Sequence, residues 1–424
     1  MGDDDPRSAR ASRVNEHSQI CRICSSPVTQ TFCDLGESPL ANAYLEPMPE
    51  AIAAEQWFPL HVRVCSVCYL VQLETFERPE QIFGDYAYFS SFSSSLLAHS
   101  MSYVEEIIPK LGLTSGSLVA EIASNDGYLL QYFIERGIPV VGIEPAVNVA
   151  AVAREKGVPT ETVFFGAATA SALRERYGVA DLMIGNNVIA HVPDLHDFIE
   201  GVRFLMAPDG TATFEFPHLL CLIELGLFDT IYHEHFSYFS LHAIERAFRM
   251  HSLVVTDVEE LGTQGGSLRL FVQHEGHGQE SLRVEAMRKK EREHGLREIH
   301  TYSAFQSVAE RKRQEVIAFV EETRATGESL ACYGAPAKGN TLLNFCGITV
   351  ADVPFTVDKN PRKQGLLLPG SHIPIDDPGR LRAEKPHNVL ILPWNLREEI
   401  AREAGFVREW NARFAVALPT LELF

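Results

Sequence analysis

Long hydrophobic runs are missing from this chain of 424 residues. Apolar stretches such as Val389 to Leu392 have strand length, far short of the roughly 20 residues a membrane-spanning helix needs, so no membrane partner is expected. The apolar core of a secretory signal is missing as well. The first 18 residues are polar, with Asp3, Asp4 and Asp5 followed by arginines, and cytoplasmic residence is the expectation. Positive charge is scarce: 37 Lys and Arg face 56 Asp and Glu, a formal net charge of -19. Such a surface repels a polyphosphate backbone, whose binding rests on Lys/Arg contacts that release counterions. A nucleic acid polymer is therefore not an expected partner, although a local basic pocket for one small anion is compatible with the balance. No repeat of solenoid period is present either. What the chain does have is 46% hydrophobic residues, enough for a large core spread over two to three domains. The oligomeric state is left open, and a monomer is compatible with everything above.

Without a secretory context, eight cysteines point to thiols or metal rather than disulfides. Cys21-Arg22-Ile23-Cys24 and Cys65-Ser66-Val67-Cys68 are two C-x-x-C knuckles separated by 40 residues, and four thiolates at this spacing can close a tetrahedral zinc shell. The zinc is expected to be structural, because four cysteines leave no position for water or substrate. A redox pair would need only one knuckle. Cys33, between them, is expected to be a core residue.

From Gln81 onward the pattern changes. Strand-like segments at 117–123, 139–144, 181–185 and 211–216 alternate with helical ones, the mark of βαβ units and a parallel sheet. The charged stretch from Ser281 to Gly327 reads as the solvated face of one or two helices,. A smaller α/β pattern begins at Ser329, with strands at 330–333, 354–357 and 389–392 and a tight loop from Gly334 to Gly339.

The run Leu118-Val119-Ala120-Glu121-Ile122-Ala123-Ser124-Asn125-Asp126-Gly127 is a hydrophobic strand, a small-residue turn and a helix start. It resembles the first motif of class I S-adenosylmethionine methyltransferases, E-x-G-x-G-x-G, with Ala123 and Asn125 in place of the first two glycines and only Gly127 kept. A pyrophosphate would want the missing glycines and a helix dipole. A methionine zwitterion can use Glu121 and the backbone of Ala123, Ser124 and Asn125 instead. The resemblance extends to Glu144, a strand-end acid 23 residues after Glu121 and suited to ribose hydroxyls. It reaches Asn186 and Asn187 at the end of a later strand, with His191 close behind.

Between Ile231 and Ser240 the chain reads IYHEHFSYFS. An extended stretch would put Tyr232 with Glu234 on one face and His233 with His235 on the other. A zinc hydrolase would want its histidines four apart on a helix, and burial of the aromatics alone leaves Glu234 and two histidines unexplained. A noncatalytic binding wall and general acid/base catalysis both remain open on the residues themselves.

The zinc knuckles, EIASNDGYLL, YHEHFSYFS and YGAPAKGNTLLN occur in one order. Together they resemble the three-domain sugar C-methyltransferases of deoxysugar biosynthesis, over nearly the whole chain from Cys21 to Trp394. The resemblance implies an α/β fold: a zinc-binding domain at residues 1–78, a class I methyltransferase Rossmann-like core at 79–285 that binds S-adenosylmethionine, and a smaller Rossmann-like domain with leading helices at 286–424. It implies C-methylation at C-3 of a nucleotide-linked 4-keto hexose, with His235 as base and Glu234 orienting it. Because sequence neighbours point to opposite faces of a regular strand, that pairing requires irregular backbone. Tyr232, His191 and Tyr86 match positions that would stabilise the enolate oxygen, and Tyr88 is placed equally well beside Tyr86. In the last domain Lys338 and Asn340 are implied substrate ligands, with Lys338 at a helix start suited to a nucleotide diphosphate. Asp358 is suited to a ribose or to capping the next turn. O- or N-methylation of a sugar or other small molecule, and a noncatalytic zinc-supported binding protein, are the alternatives.

Overall fold

A computed structural model describes residues 19–77 and 89–424. The central element is a seven-stranded sheet. Its strands in chain order are β1 (Val119–Ile122), β2 (Val140–Ile143), β3 (Thr160–Glu161), β4 (Ala180–Asn186), β5 (Met206–Pro217), β6 (Leu253–Leu261) and β7 (Ser267–His274). All four residues of β1 and of β2 are buried, as strands covered on both faces by helices must be. The sheet order is β6-β7-β5-β4-β1-β2-β3. β1 pairs in parallel with both β2 and β4, so the winding direction reverses between β1 and β4. A crevice opens there at the carboxyl ends of the strands, where open α/β sheets bind ligands. The antiparallel hairpin β6–β7, joined to β5 through Thr213↔Phe271, closes one edge and was not signalled by the βαβ alternation.

The C-terminal sheet repeats this plan. β8 (Leu330–Tyr333) lies between β9 (Thr356–Val357) and β11 (Asn388–Ile391), with β10 (Ile375–Asp376) beyond β9. β12 (Arg413–Val416) and the antiparallel β13 (Glu422–Leu423) lie beyond β11. A second crevice opens between β8 and β11, and the turn after β8 leads at once into the helix Ala337–Cys346.

The N-terminal region forms an antiparallel sheet of Gln30–Ser38, Phe58–Val64 and Val71–Gln72. Its fourth strand, Ser237–Tyr238, comes from the histidine-rich run and pairs with Val71–Gln72. One core joins Phe32, Cys33 and Val62 to Phe228, Phe305 and the C-terminal sheet, and another joins the four knuckle cysteines to the helix Leu195–Leu205 and the central sheet. The three regions are therefore packed into each other. The charged stretch forms the helices Leu282–Glu293 and Phe305–Ala325, but it is not wholly a solvated face. Glu291 is 2% exposed and its carboxylate accepts from His218 and from the main-chain N–H groups of Leu241 and His242.

Candidate active site

The two crevices open into one cavity of about 960 Å³, lined by Ala123, Asn125 and Glu144 on one side and by Gly334, Lys338 and Asp358 on the other. Tyr232, Glu234, His235 and His191 stand in its wall. The histidine run leaves the Phe228–Thr230 turn and bends back on itself, with His235 N–H donating to the Tyr232 carbonyl at 2.9 Å. The alternation expected of an extended strand is thus overturned: Tyr232 and His235 share a side. The Tyr232 hydroxyl is 2.7 Å from His235 Nε2, and the rings lie 4.0 Å apart. His235 Nδ1 lies 2.8 Å from the Thr230 carbonyl. A carbonyl only accepts, so Nδ1 carries the proton and Nε2 is the lone pair, met by the Tyr232 O–H.

This also corrects the support expected for His235. Glu234 does not orient it; the Thr230 carbonyl does. The Glu234 carboxylate accepts instead from Asn42 Nδ2 at 2.7 Å, and burial pushes its pKa up to about 7. Asn42 Oδ1 in turn accepts from the Tyr44 hydroxyl, which lies 2.6 Å from the Ala335 carbonyl, where Lys363 also donates. His233 points away from Tyr232 and His235, at 3.2 Å from the Pro59 carbonyl and edge-on to Phe58 and Phe76. It is a packed histidine and no part of the cavity wall.

His191 ends the turn after β4 and meets the main chain of Glu234, with its ring 4.7 Å from that of His235. Burial lowers its pKa to about 4. Burial, then the neighbouring His191, also drives the His235 pKa well below the ordinary histidine value. Both rings are neutral at neutral pH. Tyr86 and Tyr88 lie outside the described residues.

The zinc-binding knuckles hold this run in place. Their four sulfurs all lie within 4.8 Å of one another, and a zinc ion bonded to four thiolates at about 2.3 Å needs sulfur separations near 3.8 Å by tetrahedral geometry, so the set fits. Inside the first knuckle, Arg22 donates to the Phe236 carbonyl at 2.9 Å and to Thr75. Leu73 N–H meets the same Phe236 carbonyl, and Phe236 N–H meets Ala190, next to His191. The metal site thus clamps the segment carrying His235 without reaching the cavity.

On the donor side, the two departures from the glycine pattern prove instructive. Ala123 has φ 55°, Asn125 φ 49° and Gly127 φ 76°, so every position of the three-glycine pattern is left-handed here whatever residue fills it. A side chain at Gly127 would also meet Val158 at 2.7 Å. Left-handed backbone costs an L-residue about 1–2 kcal/mol, less for Asn, and such strain is kept at functional turns. Glu144 spans the turn: its oxygens accept from the N–H groups of Asn125 at 3.0 Å and Ala146 at 2.8 Å. Asn186 and Asn187 line the cavity, and Asn186 Oδ1 is buried with no partner among the described residues. Ala123, Asn125, Glu144, Asn186 and Asn187 therefore fit a polar ligand with an amine and hydroxyls. Glu121, Ser124 and Gly127 stand behind the wall and shape the turn. Burial, reinforced by Glu144, pushes the Glu121 pKa well above the carboxylate range.

On the other side, Lys338 lines the cavity, whereas Asn340 does not: it is 1% exposed and its amide donates to the Ala41 carbonyl at 2.5 Å. The implied ligand role of Asn340 is replaced by a pin between the C-terminal and N-terminal regions. Several wall residues escaped the sequence reading. Asn42 and the Thr230 carbonyl carry no local signal. Glu215 did: it is an acid in the apolar, buried half of strand β5, where it meets His99 at 2.9 Å, Arg269 at 3.0 Å and Thr263 at 2.8 Å.

Comparison with known proteins agrees with this layout. Residues 21–83 match the model of a zinc binding domain, 97–258 that of a methyltransferase domain and 262–419 that of a C-methyltransferase C-terminal domain. The chain is 38% identical over 400 residues to the C-methyltransferase NovU of Streptomyces niveus, covering 94% of this chain and 95% of that protein. Among solved structures, a methyltransferase from Anabaena variabilis is 14% identical, with 48% of this chain and 99% of that chain covered, at a TM-score of 0.34. The magnesium protoporphyrin IX methyltransferase of Synechocystis, with bound S-adenosylhomocysteine, is 16% identical, with 42% and 84% covered, also at 0.34. At such scores neither structure adds to the argument.

Proposed function

The chain belongs to the family of S-adenosylmethionine-dependent C-methyltransferases that includes NovU, and on that premise we propose that its acceptor is a nucleotide-linked 4-keto deoxysugar methylated at C-3. Family membership already favours carbon over the oxygen and nitrogen acceptors, and catalysis over a noncatalytic scaffold. The observation that carries the finer reading is the position of His235: a neutral imidazole whose Nε2 is paired with the Tyr232 hydroxyl, both in the wall of a cavity lying between a methyl-donor crevice and a second crevice that suits another ligand.

When bound, S-adenosylmethionine supplies a methyl carbon on a sulfonium leaving group. The chain must supply everything that makes carbon nucleophilic. Nε2 of His235 takes the C-3 proton, and the C–H electron pair moves into a C-3–C-4 double bond, leaving the charge on the C-4 oxygen. For this the Tyr232 hydroxyl, which meets Nε2 at 2.7 Å, turns to the C-4 oxygen of the bound sugar, freeing the Nε2 lone pair for the C-3 proton and donating to the oxygen as it becomes negative. His191, neutral and with its ring 4.7 Å from that of His235, places no charge beside the imidazolium. In the second crevice, the first turn of the helix Ala337–Cys346 and the acceptor Asp358 suit the phosphates and ribose of the nucleotide.

The test is a screen of thymidine, uridine and guanosine diphosphate 4-keto-6-deoxyhexoses for the gain of one methyl by mass spectrometry, with the methyl then located by NMR. Carbon attachment next to the ketone is expected; attachment to oxygen or nitrogen overturns the reading. With the accepted sugar, solvent deuterium should enter C-3 without methyl donor in the parent protein and not in His235→Asn. Unchanged exchange in the variant sinks the base assignment. Because the His235 pKa is lowered, its neutral, active form persists on acidification, and kcat/KM should fall only below the ordinary histidine value near about 6.5.

A further inference from the structure

Lys338 belongs to the helix of the second crevice but does not turn back to it. Its ammonium reaches across to Gln264 Oε1 at 2.9 Å, on the loop joining β6 and β7, and donates within its own domain to Asn395 Oδ1 at 3.1 Å. It lies 5.0 Å from the Trp394 ring centroid. Trp394 is itself fixed, since its Nε1–H donates to Asp229 Oδ2 at 2.7 Å. Asp229 is 1% exposed and directly precedes Thr230, whose carbonyl holds His235. One dipeptide, Asp229-Thr230, thus braces both the imidazole and the platform under the ammonium.

Among the described residues the Lys338 ammonium has no carboxylate in direct contact, and the buried Asp229 acts on it only through space. An ammonium has three donors, and two go to neutral amide oxygens. The other lysines in the cavity wall are engaged: Lys359 pairs with Glu403, and Lys363 donates to the Ala335 carbonyl and lies 4.0 Å from Asp358. Among the described residues of the wall, Lys338 is therefore the lysine with no carboxylate in ion-pair range.

We propose that Lys338 is a catalytic residue for the enolisation step, its ammonium stabilising the oxygen that becomes negative when His235 removes the neighbouring carbon-bound proton, rather than a ligand of the nucleotide diphosphate. This rests on the keto-sugar reading above. Its need follows from the base: a histidine whose basicity burial has lowered is poorly matched to a carbon acid, so the site must lower the energy of the enolate instead. A cation held in place in the cavity wall does this with little reorganisation at the moment of reaction. Atoms and charge balance: the proton passes to Nε2, and the electron pair ends on the carbonyl oxygen opposite the ammonium.

The experiment compares the parent with Lys338→Met and Lys338→Gln. It measures solvent deuterium incorporation into thymidine diphosphate 4-keto-6-deoxyglucose, or whichever nucleotide sugar the screen accepts, with S-adenosylhomocysteine present. Calorimetric binding of thymidine diphosphate and the thermal midpoint are measured alongside. Both neutral variants should lose exchange by about 100-fold or more, the size of losing one oxyanion donor, while nucleotide affinity changes less than about threefold. Retained exchange with weakened nucleotide binding overturns the proposal and makes Lys338 a diphosphate ligand. Retained exchange with unchanged binding overturns it as well. Absence of exchange in the parent is a separate result, which removes the keto-sugar reading itself.

Discussion

The two crevices use the same wiring for different purposes. After β1, Glu144 at the end of β2 accepts from the turn at Asn125 and from its own loop at Ala146. After β8, Asp358 at the end of β9 accepts from the turn at Ala335 at 2.8 Å and from its own loop at Asn360 at 2.8 Å. The difference lies in the backbone of each turn and its exit. The first turn is left-handed at Ala123, Asn125 and Gly127, and no helix begins until Leu130. The second keeps glycine at its tightest points, where a side chain at Gly334 would meet Pro393 at 2.5 Å and one at Gly339 would meet Leu392 at 2.9 Å, and it enters a ten-residue helix at once. A helix N-terminus favours phosphate. A strained turn set away from one suits a zwitterion. The strand-end acid is thus shared grammar, and the path of the chain beyond it decides the ligand.

The change that would erase the comparison is loss of the metal. Chelation, or Cys65→Ser, removes a site contributing on the order of 10 kcal/mol to folding. Through Arg22 and Phe236 it also unclamps the His235 segment, so methyl transfer should fall to background. A chelated protein of unchanged activity and thermal midpoint would show that the knuckles do not support the site. A sharper cut separates the crevices. Glu144→Gln should weaken S-adenosylmethionine about 10–100-fold, the size of losing hydrogen bonds to a charged acceptor, while leaving thymidine diphosphate within threefold by calorimetry. Asp358→Asn should do the reverse. A variant that weakens both ligands equally breaks the claim that the crevices act separately. The smallest effect is expected at Ala123→Gly. Relief of left-handed strain, less the extra freedom of glycine in the unfolded chain, leaves about 0.5–1 kcal/mol of stabilisation. The thermal midpoint should rise by about 1–2 °C, and a fall would show that the alanine methyl packs better than its backbone suffers.

Much of this was readable before folding, and for identifiable reasons. The four cysteines are legible because metal geometry demands their spacing, and they meet within 4.8 Å. The donor turn is legible because its conformation needs small or αL-tolerant residues, and the departures at Ala123 and Asn125 kept the left-handed backbone. Asn340 misled because polar character near a crevice does not reveal direction; its amide turns to Ala41. Glu234 misled for a related reason. Beside His235 in sequence, it is separated from that ring by a chain reversal, and Asn42, 192 positions away, claims its carboxylate.

The sequence by itself determined the kinds of chemistry available: a thiolate metal shell, a methyl-donor turn, a cluster of proton-exchanging groups and two α/β sheets, since each depends on residue types at short spacing. Only the tertiary structure decided which groups work together. The tautomer of His235 is set by a carbonyl, the clamp on its segment comes from an arginine inside a metal knuckle, and Lys338 meets the site from another domain. Contacts of that kind depend on packing between distant segments, and no local pattern encodes them.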